Sequence, residues 1–181
     1  MKSRTQQAIV ARVDRAGKSD AMSEPSANAP SAPAEVLFYH LERQPLERVL
    51  PNLLERTLAR GWRAVVQAGS DERLDAIDHA LWTYQEGSFL PHGQRKAGYA
   101  DKQPIYLTTG AETPNGAGVR FLVDGAKAEA FTGFVRLVYL FDGGDPEAMA
   151  IARGQWSAAK AAGCAVTYWQ QTEEGRWERK A

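Results

Sequence analysis

The run Phe134-Val-Arg-Leu-Val-Tyr-Leu-Phe141 constrains the fold more than any other stretch. It is apolar almost without interruption and shows no alternation, so both of its faces must be buried. That is the signature of a central strand in a parallel sheet. Parallel neighbours cannot be joined by a tight hairpin. They need crossover segments, usually helices, lying on the faces of the sheet. The rest of the chain must therefore alternate strands with amphipathic helices.

It does so from residue 35 onward. Glu35 to Leu41 reads as a first, largely buried strand. Leu46, Val49, Leu50, Leu53, Leu54 and Leu58 then fall at helical spacing, and Gly61 ends that helix. Pro51 is awkward inside it, so either the helix kinks there or its regular part begins near that residue. Trp62 to Ala68 is a second strand. Ser70 is suited to cap a second helix, with Asp71 and Glu72 in its positive first turn and Leu74, Ile77, Leu81 and Tyr84 as its buried stripe. Gly93 to Gln103 reads as a polar loop, and Pro104 to Thr108 and Arg120 to Val123 as short strands separated by turn residues. Ala126 to Thr132 has the composition of a short helix. Asp145 at the N-cap and Pro146 at the first helical position open a third long helix, which Gly163 closes, and Cys164 to Gln170 is a last strand. The expected fold is an α/β three-layer sandwich with a largely parallel sheet flanked by helices.

The flanks differ from this core. Residues 1–33 contain no aromatic residue, although the whole chain has 6 Phe, 5 Trp and 6 Tyr, and their end is crowded with Ser, Ala and Pro. Such a stretch buries too little apolar surface to offset its ordering entropy. It is expected to be a disordered or weakly ordered extension. Its Lys2, Arg4, Arg12, Arg15 and Lys18 allow a weak nucleic-acid contact or merely a solvated tail. The α/β domain is expected over residues 34–172, followed by a charged tail over 173–181.

Composition excludes several classes. Lys plus Arg is 22 and Asp plus Glu is 22, a balance that argues against broad electrostatic binding of nucleic acid but leaves room for a local basic patch. One cysteine, Cys164, forbids an internal disulfide and points to a reducing cytoplasmic setting. No apolar run approaches the roughly 20 residues of a membrane span. There is no phosphate-cradling G-x-x-x-x-G-K-[ST], no G-x-G-x-x-G after the first strand, no G-x-S-x-G and no C-x-x-C. His92 lacks a carboxylate or nucleophile at a telling spacing and reads as a structural anchor. Asp142 and Asp145 follow a strand, where α/β enzymes place metal ligands, but turn formation and helix capping already account for both. Neither a cofactor nor a metal site is expected, and a small nucleotide- or metal-dependent enzyme with a site near the Asp142 turn stays as the alternative.

Two surfaces remain. Leu81 to Gly93 leaves the second helix and becomes irregular, yet carries Trp82, Tyr84, Phe89 and Leu90 around Gly87. An apolar loop either packs over its own core or waits for a partner. On the third helix, Arg153 and Lys160 flank Trp156 at i−3 and i+4, so the three can meet along one edge. A partly exposed Trp between two cations suits a peptide ending in an aromatic side chain and a carboxylate, while ordinary snorkelling over a core Trp is the plainer reading.

These residues together resemble one family. Val36-Leu-Phe-Tyr39, Gly61-Trp-Arg63, Asp78-His-Ala-Leu-Trp82, Ser88-Phe-Leu-Pro-His92 and Ala152-Arg-Gly-Gln-Trp156 with Lys160 and Gly163 look like the chi subunit of the bacterial DNA polymerase III holoenzyme. The resemblance covers roughly Glu35 to Gln170. It implies a non-catalytic adaptor in DNA replication, with a fold like the nucleotide-binding α/β proteins but no nucleotide site. It implies two protein partners, the psi subunit of the clamp loader and the acidic C-terminal tail of single-stranded-DNA-binding protein, with DNA engaged mainly indirectly and the membrane not at all. Trp82, Phe89 and Leu90 would then belong to the psi contact, and Arg153, Trp156 and Lys160 to the tail pocket. Relatives often carry a second basic residue just after the Trp156 position, where this chain has Ser157.

Overall fold

A computed structural model describes residues 32–181, so most of the expected N-terminal extension lies outside the described residues. The sheet has eight strands in the order β3-β4-β2-β5-β6-β1-β7-β8. They are β1 (Glu35–Leu41), β2 (Ala64–Gln67), β3 (His92–Gln94), β4 (Ile105–Thr108), β5 (Val119–Val123), β6 (Arg136–Asp142), β7 (Ala165–Gln171) and β8 (Trp177–Arg179). Every pairing is parallel except β7 with β8. β6 takes the run from Arg136 onward, with Phe134 and Val135 outside the strand and Val135 exposed, and sits inside the sheet between β5 and β1.

Three helices flank the sheet: α1 (Leu46–Ala59), α2 (Asp71–Thr83) and α3 (Pro146–Ala161). Side-chain parity sorts them into layers. Leu41, Val66, Ile105, Phe121, Val138 and Leu140 point to one face and pack with Leu50 and Leu54 of α1 and Leu74, Ile77 and Leu81 of α2. Val36, Phe38, Leu122, Leu137 and Tyr139 point to the other and pack with Ala152 and Ala159 of α3. The three-layer sandwich expected from the alternation is therefore present. Each large side chain buried this fully contributes about 1.5–3 kcal/mol relative to exposure. The caps form as the residues demand: the Ser70 hydroxyl accepts from Arg73 N at 3.3 Å, and Asp145 accepts from Glu147 N at 2.8 Å. Pro51 lies within the continuous α1 helix.

One stretch of the α3-side face has a different cover. Over β2 and β4, Val65 and Tyr106 pack with Ala117 of the connection between β4 and β5. That connection is pinned by Arg120, only 3% exposed, whose guanidinium donates to Gln67 Oε1 at 2.6 Å, Ala111 O at 2.6 Å and Glu112 O at 3.0 Å. A buried cation held by carbonyl oxygens fixes the loop where a helix would otherwise lie.

Three local expectations are corrected. Ala126 to Thr132 is not helical. Its backbone is claimed by tertiary partners: Ala128 N donates to Gln155 Oε1 at 3.3 Å, and Phe131 O accepts from Ala34 N at 2.8 Å. A segment this short does not nucleate a helix against such competition. Within the supposed loop from Gly93 to Gln103 the chain adds β3 at the sheet edge, a strand of three polar or small residues without an apolar signal. Finally, β7 is not the last strand, because β8 folds back on it within the charged segment that follows.

Candidate functional site

The parallel order places β1 between β6 and β7, and this builds the first surface. Phe38 of β1 is opposite Tyr139 of β6 and Tyr168 of β7. All three rings face α3. Trp156 of α3 comes down on them, edge-on to Phe38 at 5.3 Å and to Tyr168 at 6.0 Å between ring centroids. Toward the start of α3 the packing stops short. A cavity of about 230 Å³ opens there, lined by Phe38, Phe141, Met149, Ala152, Arg153, Trp156, Tyr168 and Ala181.

Of the three residues singled out on α3, Arg153 and Trp156 line this cavity, and Lys160 lies one turn beyond, against the Trp156 ring. Trp156 is half-buried and forms a wall, and Arg153 lines the cavity from an exposed position one turn earlier. Lys160 holds its ammonium nitrogen 4.8 Å from the Trp156 ring centroid, a cation–π contact. Ser157 lies on the exposed side of α3, where its hydroxyl donates back to Arg153 O at 3.1 Å. The site is thus an apolar hole with Arg153 at its lip and Lys160 on the Trp156 ring that walls it. Burial keeps the Tyr168 phenol protonated above its ordinary range, and the Tyr139 phenol, two strands away, is displaced upward for the same reason. A hole of this kind accepts an apolar side chain whose neighbouring group is anionic.

Phe38, Phe141 and Tyr168 were not singled out from the sequence. Each alternates correctly for the α3-side face, but nothing in the chain announces that β1, β6 and β7 are neighbours, and that adjacency makes the lining.

The second surface is the end of α2 and the loop after it. Trp82 is 57% exposed and Phe89 is 67% exposed, with ring centroids 5.8 Å apart. Gly87, at φ 75°, turns the chain so that Phe89 comes back beside the helix it has left. His92 is buried beneath this pair. Its ring lies 4.9 Å from that of Trp82, and its Nδ1 donates to Leu90 O at 2.6 Å. His92 thus has the anchoring position expected of it. Leu90 departs from expectation. It is 3% exposed and packs in the α1/α2 core, so its side chain offers no surface to a partner. Strand-like parity in the extended chain explains the split: Phe89 points out, and Leu90 points in.

At the third location, the Asp142 turn, both carboxylates are engaged by the backbone. Asp142 Oδ1 accepts from Gly144 N at 2.7 Å, and Asp145 is the α3 cap. Gly143 is pressed so closely on His40 that a side chain there would collide with the imidazole.

Residues 34–167 match the family described as "DNA polymerase III chi subunit, HolC". A stretch of 86 residues is 27% identical to "Probable DNA polymerase III subunit chi" of Rickettsia prowazekii (strain Madrid E), covering 48% of this chain and 52% of that protein. The chain thus spans about half the length of the curated relative it matches.

Proposed function

Because this chain belongs to the DNA polymerase III chi subunit family, we propose that it is a non-catalytic adaptor of the replicative polymerase, binding partner proteins at two separate surfaces. The observation that carries this reading is the cavity beside Trp156. It is apolar inside, cationic at its lip through Arg153, with Lys160 against the Trp156 wall, and of a size for one aromatic side chain. Its complement is a peptide ending in an aromatic residue with a free carboxylate and acidic neighbours, which fits the C-terminal tail of single-stranded-DNA-binding protein. The ring enters the hole, and Arg153 and Lys160 hold the carboxylate. Trp82 and Phe89 form the second contact, toward psi or a protein standing in its place. Two large exposed rings side by side match the central anchors of protein interfaces. In this reading residues 34–172 are the adaptor domain and the assembly, not this subunit, performs nucleotidyl transfer.

The test is a titration of the full chain with a synthetic peptide matching the acidic tail of its own single-stranded-DNA-binding protein, beside the same peptide without its terminal aromatic. Micromolar binding that disappears with the truncated peptide supports the reading. Equal binding of both peptides, or of neither, overturns it.

A further inference from the structure

The α1/α2 side of the sheet is only partly covered. α1 packs over β2 and β6 and α2 over β3 and β4, whereas α3 serves β1, β6 and β7 from the opposite side. Among the described residues, the strip over β7 and β8 on the α1 side is not a main packing surface of any helix.

Aromatic rings floor this strip. Tyr39 of β1 and Trp169 of β7 are register partners, with ring planes 9° apart and centroids 6.2 Å apart. Trp177 of β8 stands edge-on to Tyr39 at 4.9 Å. All three are partly, not fully, buried. Guanidinium groups line the neighbouring wall. Arg56 and Arg60 project from the last turns of α1 and, with Arg136 of β6, edge a cleft of about 100 Å³ that Tyr39 and Leu37 floor. Arg60 and Arg136 each hold their guanidinium carbon 5.5 Å from the Trp62 ring, which keeps them extended along the edge. Burial pushes the Tyr39 phenol above its ordinary pKa, and the neighbouring Arg136, Arg56 and Arg60 oppose that rise while Glu35 adds to it. Glu35 is taken up by Arg136, and among the described residues neither Arg56 nor Arg60 has an ion-pair partner. In a chain of zero net charge, this is a concentrated positive edge beside aromatic faces.

We propose that this strip is a contact site for single-stranded nucleic acid, with bases stacking on the Trp169, Trp177 and Tyr39 rings and phosphates meeting Arg56 and Arg60. Rings beside arginines are the combination that binds unpaired strands without reading their sequence, because every base offers a π-face and every nucleotide a phosphate. A duplex hides its base faces and meets the arginines alone. An acidic peptide is the other anion with aromatic character, but it needs a hole for its anchor. The cleft here has less than half the volume of the cavity beside Trp156, and the aromatic area lies open beside it.

The experiment follows the fluorescence anisotropy of a labelled oligothymidylate titrated with the full chain at low salt. Binding is expected, falling with salt at a logarithmic slope of roughly −1.4 for the two phosphates neutralised by Arg56 and Arg60 on a single strand. Arg56→Glu with Arg60→Glu, both at exposed positions, lowers affinity at least about tenfold, and Trp177→Ala lowers it with less effect on the salt slope. Trp156→Ala leaves it unchanged, so failure here is distinguishable from failure of the tail pocket. The proposal is overturned by no binding at low salt, by equal displacement with duplex DNA or polyglutamate, or by indifference to the Arg56 and Arg60 changes. Loss of binding with Arg4→Gln, Arg12→Gln and Arg15→Gln in place of the strip variants also overturns it, because the basic N-terminal arm would then be the contact.

Discussion

Trp156 and Trp82 both belong to helices, and each has an aromatic ring within 6 Å, yet they meet solvent differently. Trp156 leans on Phe38 and Tyr168 and leaves a hole at its side. Trp82 lies over His92 with Phe89 beside it and is mostly open to water. A hole lets a few residues recognise a short terminal motif, because its walls desolvate the ligand from several directions. An open pair of rings contributes only when a partner covers it, so it selects for an extended protein surface.

The sharpest break between buried and exposed lies within the second surface itself. Leu90→Ala removes a core side chain and should cost about 2–5 kcal/mol of folding stability. Phe89→Ala, one residue earlier, should stay within about 0.5 kcal/mol. Urea unfolding of the two variants checks this, and similar losses would mean that the loop packs as a unit against the core. For the first surface, Trp156→Ala and Arg153→Ala should each weaken tail-peptide binding by about 2 kcal/mol or more, with the unfolding midpoint little changed by Arg153→Ala and lowered by Trp156→Ala, which also removes packing on Phe38 and Tyr168. Calorimetric titration of both, with Phe89→Ala as the variant expected to bind normally, tests whether the two surfaces are separate.

Salt provides a finer division. Peptide affinity at the cationic lip should fall between low and high ionic strength, whereas contacts made through Trp82 and Phe89 should hardly respond. Placing a cation at the exposed position beside Trp156, by Ser157→Lys, should tighten the peptide by about 0.2–1 kcal/mol. An unchanged constant would mean that Arg153 and Lys160 already satisfy the carboxylate. The smallest effect is expected at high pH. Burial raises the folded-state pKa of Tyr168 and of Tyr139, so the unfolded chain loses these protons first. Their contribution is intact below the ordinary phenol pKa of about 10 and is lost as pH rises above it. Phenolate absorbance should therefore lag behind that of free tyrosine until the α3 side opens, and a Trp156→Ala variant should shorten the lag.

Much of this was readable along the chain. The apolar run at Phe134 to Phe141 required a buried strand, the leucine spacing after Leu46 required a helix, and Ser70 and Asp145 marked helix starts that the structure keeps. Family membership was legible in the motifs around Trp82, Phe89 and Trp156. These features are local. A side chain's periodicity and a cap's hydrogen bond depend on residues within a turn or two. Strand order does not. Whether β1 lies beside β6 and β7 depends on which crossovers bury the most apolar surface, and that choice alone gathers Phe38, Phe141 and Tyr168 around Trp156 and sets Trp169 beside Tyr39. The same holds for Leu90, whose inward turn follows from how the loop after α2 closes over the core, and for Arg120, which no spacing distinguished but which the finished sheet buries as the peg of a loop. Local chemistry wrote the elements and the candidate surfaces into the sequence; adjacency between distant strands, fixed by burial over the whole sheet, decided which side chains share a cavity.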